Sequence, residues 1–261
     1  MNIEVNGVSL HHEMAGPDGA RWVTLSHSIA ANMGFWDDQF AALAADYRVL
    51  RYDTRGHGQS GAGTADCSLE LLARDVVALW DALGIEKSHF VGLSLGGMTG
   101  VVLGLEHADR LDKLVIANAR LEADATFSEL WEQRIALAEG EGMAPIAEGT
   151  IPRWFTEGFI AANPGVIEHV RGVIAATNPA GFAGAGHAIR AIDLHRRLSE
   201  LKTPTLFIAG AEDGACPAEG IKAYHAVVAD SAYLELSPAA HISNLEQPAG
   251  FTRAVAEFLA D

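Results

Sequence analysis

Residues 92–97 read Gly92-Leu93-Ser94-Leu95-Gly96-Gly97. They follow the apolar run His89-Phe90-Val91 and open the helical run Met98 to Glu106. A serine with a glycine two residues away on each side, at a strand-to-helix junction, suits a nucleophile held on a sharp, strained turn. Glycines are needed there because side chains would clash. Such a turn lifts Oγ out of the sheet. It also aims the next amide, that of Leu95, and the helix N-terminus at a developing oxyanion. The implied chemistry is acyl transfer through serine. The pattern alone also fits a glycine-rich turn with an idle serine; the flanking strand and helix favour the nucleophile.

A serine hydroxyl at neutral pH needs a base, and the base needs an orienting acid. Behind a turn of this kind they follow in the order Ser, acid, His. Asp213 lies in Ala209-Gly210-Ala211-Glu212-Asp213 and His241 in Ala239-Ala240-His241-Ile242-Ser243-Asn244, each just past an apolar strand. Sites in open α/β sheets collect at such carboxyl ends. Glu212 is the competing acid. Among 11 histidines, His57 in a glycine-rich turn is the weaker alternative base. The second oxyanion donor is expected from the loop Ser26-His27-Ser28-Ile29-Ala30, as the Ile29 amide. His27 reads as a loop-stabilising side chain that could still reach the site.

Several elements must position these residues. Asn6-Gly7 between two short β-rich runs predicts a hairpin. Further strands are expected at 22–25, 48–52, 89–93, 113–117, 205–209 and 233–236, several apolar on both faces and so covered on both sides. Ser68 is a predicted N-cap and Gly84 a stop for a helix over 69–83, with Leu72, Val76, Leu79 and Leu83 as its apolar stripe and Arg74, Asp75 and Asp81 off it. Strands alternating with helices predict an α/β fold, a mostly parallel central sheet flanked by helices. The alternation breaks between about 121 and 195, where only helices are expected. Asn163-Pro164 and Asn178-Pro179 there look like caps followed by proline at the first helical position. The expected organisation is a core of residues 1–120 and 196–261, with a helical cap of 121–195 inserted in it.

The chain has 261 residues, 49% hydrophobic and 20% charged, which is the balance of a globular protein with one large core. Its net charge is −16, from 34 acidic and 18 basic residues, which disfavours a nucleic-acid partner. The same charge means that an anionic substrate must be met by local Arg, Lys or backbone N–H groups. Cys67 and Cys216 are expected as free thiols. The N-terminus lacks a basic region followed by an apolar one, and no apolar run is long enough to span a bilayer, so a cytoplasmic, non-membrane protein is expected. No ligand spacing for a metal and no dinucleotide fingerprint occurs, so no metal or cofactor is expected. The oligomeric state is not legible.

The elbow around Ser94, the loop Tyr52-Asp53-Thr54-Arg55-Gly56-His57-Gly58-Gln59-Ser60, and the order of acid and histidine resemble the α/β-hydrolase superfamily over essentially the whole chain. A narrower resemblance is to 3-oxoadipate enol-lactonases. It rests on Arg51-Tyr52-Asp53-Thr54-Arg55-Gly56-His57-Gly58, on Gly92 to Met98, on His241-Ile242-Ser243-Asn244-Leu245-Glu246-Gln247-Pro248, and on Trp131-Glu132-Gln133-Arg134-Ile135 and Arg153-Trp154-Phe155-Thr156. The chain departs from that family at His27-Ser28-Ile29-Ala30, where members carry Asn-Ser-Leu-Gly, and at Glu212-Asp213-Gly214, where Asp-Asp-Pro is frequent. The resemblance implies ring opening of a small anionic enol-lactone, with Ser94, Asp213 and His241 as triad and Leu95 and Ile29 as oxyanion donors. Arg134 and Arg190 are candidates to hold the substrate carboxylate, between Trp131 and Trp154 as walls. Other lactonases, a general carboxylesterase, a carbon–carbon bond hydrolase and a ligand-binding receptor on the same scaffold are the competing readings.

Overall fold

Asn6 and Gly7 both adopt positive φ, 46° and 74°, the geometry that lets a two-residue turn follow the strand twist. They join β1 (Asn2–Val5) to β2 (Val8–Ala15) as the expected hairpin. The computed structural model describes residues 1–62 and 67–260. After the hairpin, strands and helices alternate: β3 (Trp22–Ser26), α1 (Asp37–Leu43), β4 (Arg48–Tyr52), α2 (Leu69–Leu83), β5 (Ser88–Leu93), α3 (Leu95–Glu106) and β6 (Leu111–Ala117). Next come α4 (Ala125–Glu141), α5 (Met143–Trp154), α6 (Glu157–Ala162), α7 (Pro164–Ala176) and α8 (Pro179–Arg190), with no named strand among them. The chain ends with β7 (Thr205–Gly210), α9 (Ala218–His225), β8 (Ser231–Leu236), α10 (Ser243–Glu246) and α11 (Pro248–Ala260).

The eight strands form one sheet in the order β1-β2-β4-β3-β5-β6-β7-β8. β1 and β2 are antiparallel to their neighbours, and β3 to β8 run parallel. Every residue of β5 and of β7 is buried, because helices cover both faces of a parallel sheet. The crossovers therefore bring the carboxyl ends of β3, β5, β6, β7 and β8 to one edge. Among the described residues no helix is long and apolar enough to cross a membrane.

The helix over 69–83 forms as its ends dictate. Ser68 Oγ accepts the Leu71 amide at 3.2 Å, and Gly84 stops the helix at φ +70°. Leu72, Val76 and Leu79 are fully buried, a contribution of about 1.5–3 kcal/mol each. Asp75 departs from expectation. It is buried, and its carboxylate accepts both Arg55 Nε and Nη2 (2.5 and 2.7 Å) and Asn6 Nδ2 (2.8 Å). A buried carboxylate is tolerable only when paired in this way, and its partner lies 20 residues upstream.

The helices α4–α8 leave the sheet after β6 and return before β7. A bridge between Glu122 and Asp193, with Leu194 N–H donating to Leu121 O at 2.9 Å, joins the two ends of this excursion. Asn178 caps α8 as expected, accepting the Ala180 and Gly181 amides. Asn163 does not cap α7. Its Nδ2 turns back to donate to Phe159 O at 3.1 Å, serving the end of α6 instead.

Candidate active site

Ser94 follows β5 directly, with φ 54° and ψ −109°, a backbone that L-residues rarely adopt. Two close approaches enforce it. A Cβ at Gly92 would sit 2.2 Å from Gly96 O, and one at Gly96 would sit 2.2 Å from Ser26 O. The second contact also presses the start of α3 against the end of β3. The loop that begins at His27 is thereby brought beside the elbow.

Ser94 Oγ lies 3.0 Å from His241 Nε2, and His241 Nδ1 lies 2.8 Å from Asp213 Oδ2. All three residues are buried. Asp213 Oδ1 accepts the Ala215 and Cys216 amides at 2.8 and 2.9 Å, and Oδ2 also accepts Asn118 Nδ2 at 3.0 Å. With Asp213 Oδ2 as acceptor, the bond between them is donated by His241 Nδ1–H, which leaves Nε2 facing Ser94 Oγ as the acceptor for the serine proton. Glu212 is exposed and takes no part. Asn118 is a residue the sequence reading did not single out. At φ 48° just past β6, it links Asp213 to the Ala240 carbonyl (3.2 Å) and accepts Ser243 Oγ (2.6 Å).

The Leu95 and Ile29 amides donate to no protein acceptor among the described residues. Ile29 lines the same cavity as Ser94. Ala30 has φ 56°.

His27 does not enter the cavity. It is buried under the loop, its Nδ1–H donating to Ser28 O at 2.7 Å and its Nε2 accepting the Thr54 amide at 3.0 Å. Since Ser28 C=O and Ile29 N–H belong to one planar trans peptide, a bond to the oxygen fixes where the amide points. We expect His27→Ala to lower kcat by about 10- to 100-fold with KM little changed, less than deleting an oxyanion donor outright. Steady-state kinetics on any ester substrate check this; an unchanged kcat would contradict it.

His57 is likewise buried away from the triad, its Nδ1–H donating to Arg55 O at 3.1 Å. Burial, reinforced by nearby His27, pushes it down to about 3. Burial also lowers His27 and takes His89 down to about 4. Below pH 6.5 the unfolded chain takes up protons that these folded sites refuse. Their contribution to stability is therefore complete above pH 6.5 and is lost as pH falls towards 4. For His57 and His89 the loss approaches about 1.4 kcal/mol per pH unit each. Urea midpoints should fall steadily between pH 7 and 5, with a shallower slope in His57→Gln. A flat profile would contradict this assignment.

The cavity over Ser94 is narrow, about 50 Å³. Trp131 and Trp154 line it as expected, Trp154 stacked on the His241 ring at 6.3 Å and 29°. Arg134 lines it too, lying over the rings of Trp131 (5.3 Å) and Phe182 (5.8 Å) and donating from Nη2 to Thr150 Oγ1 at 2.8 Å. Its Nε is buried without a partner. Burial and the nearby Arg153 cation pull its guanidinium down to about 10. Arg190 is corrected: it is absent from the cavity wall, more than a third exposed, and 3.5 Å from Glu132 on the outer surface. Arg153, not singled out from sequence, takes the place expected for it on the wall. Among the described residues neither Arg134 nor Arg153 pairs with a carboxylate.

Cys216 completes a through-space group that sequence spacing did not reveal. Ligand atoms of Asp213, Cys216 and His241 lie within 4.8 Å of one another. Burial and the Asp213 charge push the Cys216 thiol well up. A neutral thiol is a poor metal ligand, and the other two groups already bond each other. The described cysteines are free.

The sequence model of the alpha/beta hydrolase fold matches residues 21–248. The chain belongs to the α/β-hydrolase fold family. Within that family it is 34% identical to 3-oxoadipate enol-lactonase 1 of Acinetobacter baylyi, over 97% of this chain and 94% of that one. The crystal structure of an enol-lactonase from Burkholderia xenovorans LB400 superposes with a TM-score of 0.97 at 38% identity, covering 100% of both chains. A relative from Caulobacter sp. (strain K31), 31% identical over 96% of each chain, has a name that refers to carbamate hydrolysis. These similarities support a hydrolase.

Proposed function

We propose that the protein is a serine hydrolase that opens a small anionic lactone, with 3-oxoadipate enol-lactone as its substrate. The observation that carries this reading is the pair of unpaired arginines, Arg134 and Arg153, facing the same cavity as Ser94. In a chain of net charge −16, two cations left without carboxylates in a partly buried pocket call for an anionic ligand. The helices of residues 121–195 act as a cap that supplies this anion site and excludes water, while residues 1–120 and 196–261 form the catalytic core.

His241 Nε2 takes the Ser94 proton as Oγ attacks the lactone carbonyl. The oxyanion settles on the Leu95 and Ile29 amides. The ring C–O bond breaks, His241 returns the proton to the departing enol oxygen, and the enol becomes a ketone. A water molecule, deprotonated by His241, then cleaves the Ser94 ester. It releases the 3-oxo acid and restores the serine. The leaving group stays tethered until deacylation, so the cavity must hold one small molecule rather than two.

Carbamate hydrolysis is the second reading, favoured by the relative whose name refers to it. It would use the same triad without needing the two arginines. Turnover of the enol-lactone, p-nitrophenyl acetate and a small N-substituted carbamate, measured side by side, separates them. A kcat/KM for the lactone at least about 100-fold above the others, the equivalent of one buried charge contact, supports the proposal. A carbamate or neutral ester ahead of the lactone would overturn it.

A further inference from the structure

Both chain neighbours of His241 are tied to the helical layer. The Ile242 amide donates to the Trp154 carbonyl at 3.1 Å. The Ala240 amide donates to Glu246 Oε2 at 2.5 Å. The other oxygen of that carboxylate accepts both the amide (2.9 Å) and the hydroxyl (2.8 Å) of Thr156. Thr156 is itself the N-cap of α6, its Oγ accepting the Phe159 amide at 3.2 Å. Between these ties the Trp154 ring lies over the His241 imidazole. Residues 154–156 and 240–242 are thus joined on both sides of the imidazole.

Glu246 is an odd choice for a merely structural peg. It is buried, and among the described residues no Lys, Arg or His forms a salt bridge with it. A buried carboxylate without a counter-ion is costly unless its lone pairs are filled. Here three neutral donors fill them. All three come from just two segments, one carrying His241 and one forming the cavity wall. Ending α10 would not require this, since an apolar residue could do that without burying a charge. The arrangement makes sense if holding those two segments together is the purpose.

We propose that Glu246 is a positioning residue that straps the Trp154–Thr156 edge of the helical layer to the His241 loop, so that the imidazole faces Ser94 only while that edge is seated. The strap rests on the serine-hydrolase reading for its catalytic meaning. The bonds themselves do not depend on which substrate is used. Glu246→Gln keeps the shape but sets an N–H against an N–H on one side of the strap. Thr156→Val removes the hydroxyl's bond to Glu246 and its cap on the Phe159 amide, and leaves the amide bond to Glu246 in place.

The test uses the full-length protein. Steady-state kinetics on the enol-lactone and on p-nitrophenyl acetate are combined with the low-field proton resonance of the His241 Nδ1–H bond to Asp213. Glu246→Gln should lower kcat about 100-fold on both substrates, the scale of a small misplacement of a reacting group. KM should change by less than about 3-fold, because ground-state contacts are untouched. The resonance should shift or broaden. Thr156→Val should move both readouts in the same direction by less. If Glu246→Gln does not fold, Thr156→Val carries the same test. A wild-type kcat, or a fall in kcat with the resonance unmoved, would overturn the strap. Retention of activity by Ser94→Ala would instead strike the serine-hydrolase reading, and the resonance would still report on the strap.

Discussion

Ser94→Ala should lower kcat on any ester or lactone substrate by on the order of 10⁴- to 10⁶-fold, without loss of stability. The size of the effect follows from the geometry. Oγ is the atom 3.0 Å from His241 Nε2, and among the described residues no other hydroxyl bonds the imidazole. What remains after the substitution is water attack assisted by the Leu95 and Ile29 amides and by binding, which is worth far less. Stability should hold because alanine and serine bear the φ of 54° equally, and because Oγ makes no structural bond besides that to His241. Labelling by a fluorophosphonate should vanish in parallel. Activity within about 10-fold of the parent would mean that the chemistry runs without an acyl-enzyme.

Arg134→Ala should lower kcat/KM for the anionic lactone by about 10²- to 10³-fold, the cost of deleting one partner of a desolvated charge pair. The fall should appear mainly as a rise in KM. For p-nitrophenyl acetate, which carries no charge, the change should stay within about 5-fold. The reason is that the guanidinium is held over Trp131 and Phe182 with Nε unpartnered and Arg153 nearby. It therefore meets repulsion and desolvation in the empty site, and relief when an anion arrives. The same physics predicts that Arg134→Met, which keeps the volume, leaves thermal stability unchanged or raised. Loss of anion binding without loss of stability is the mark of a group retained for a ligand. Equal losses on lactone and ester would contradict the anion site.

Much of the fold was legible because its signals are local. The Asn6-Gly7 turn, the Ser68 cap, the Gly84 stop and the glycines around Ser94 each act through neighbours within a few residues. The hairpin, α2 and the elbow follow from them. Asp213 and His241 were findable because strand ends in a parallel sheet share an edge, so chain order stands in for proximity. What escaped is what depends on through-space pairing. Asp75 read only as lying off the apolar stripe, because nothing nearby in sequence names Arg55 as its partner. Arg190 and Arg134 are both cap arginines on helices, and only packing decides that one turns to Glu132 and the other to the cavity. Arg153 sat in a recognised motif without a role, since its neighbour Arg134 lies on another helix. Asn118 and Glu246 hold Asp213 and the His241 loop through bonds from distant segments, which no spacing rule reports. Asn163 carries the composition of a cap but bonds the helix before it.

The most direct test of the central claim is to mix the purified protein with freshly prepared 3-oxoadipate enol-lactone and follow the loss of its absorbance, with Ser94→Ala alongside. The account predicts rapid multiple turnover at a kcat/KM of about 10⁴ M⁻¹s⁻¹ or more, abolished by the substitution. Hydrolysis of p-nitrophenyl acetate that depends on Ser94, with no turnover of the lactone, would contradict it: the triad would stand and the substrate would not.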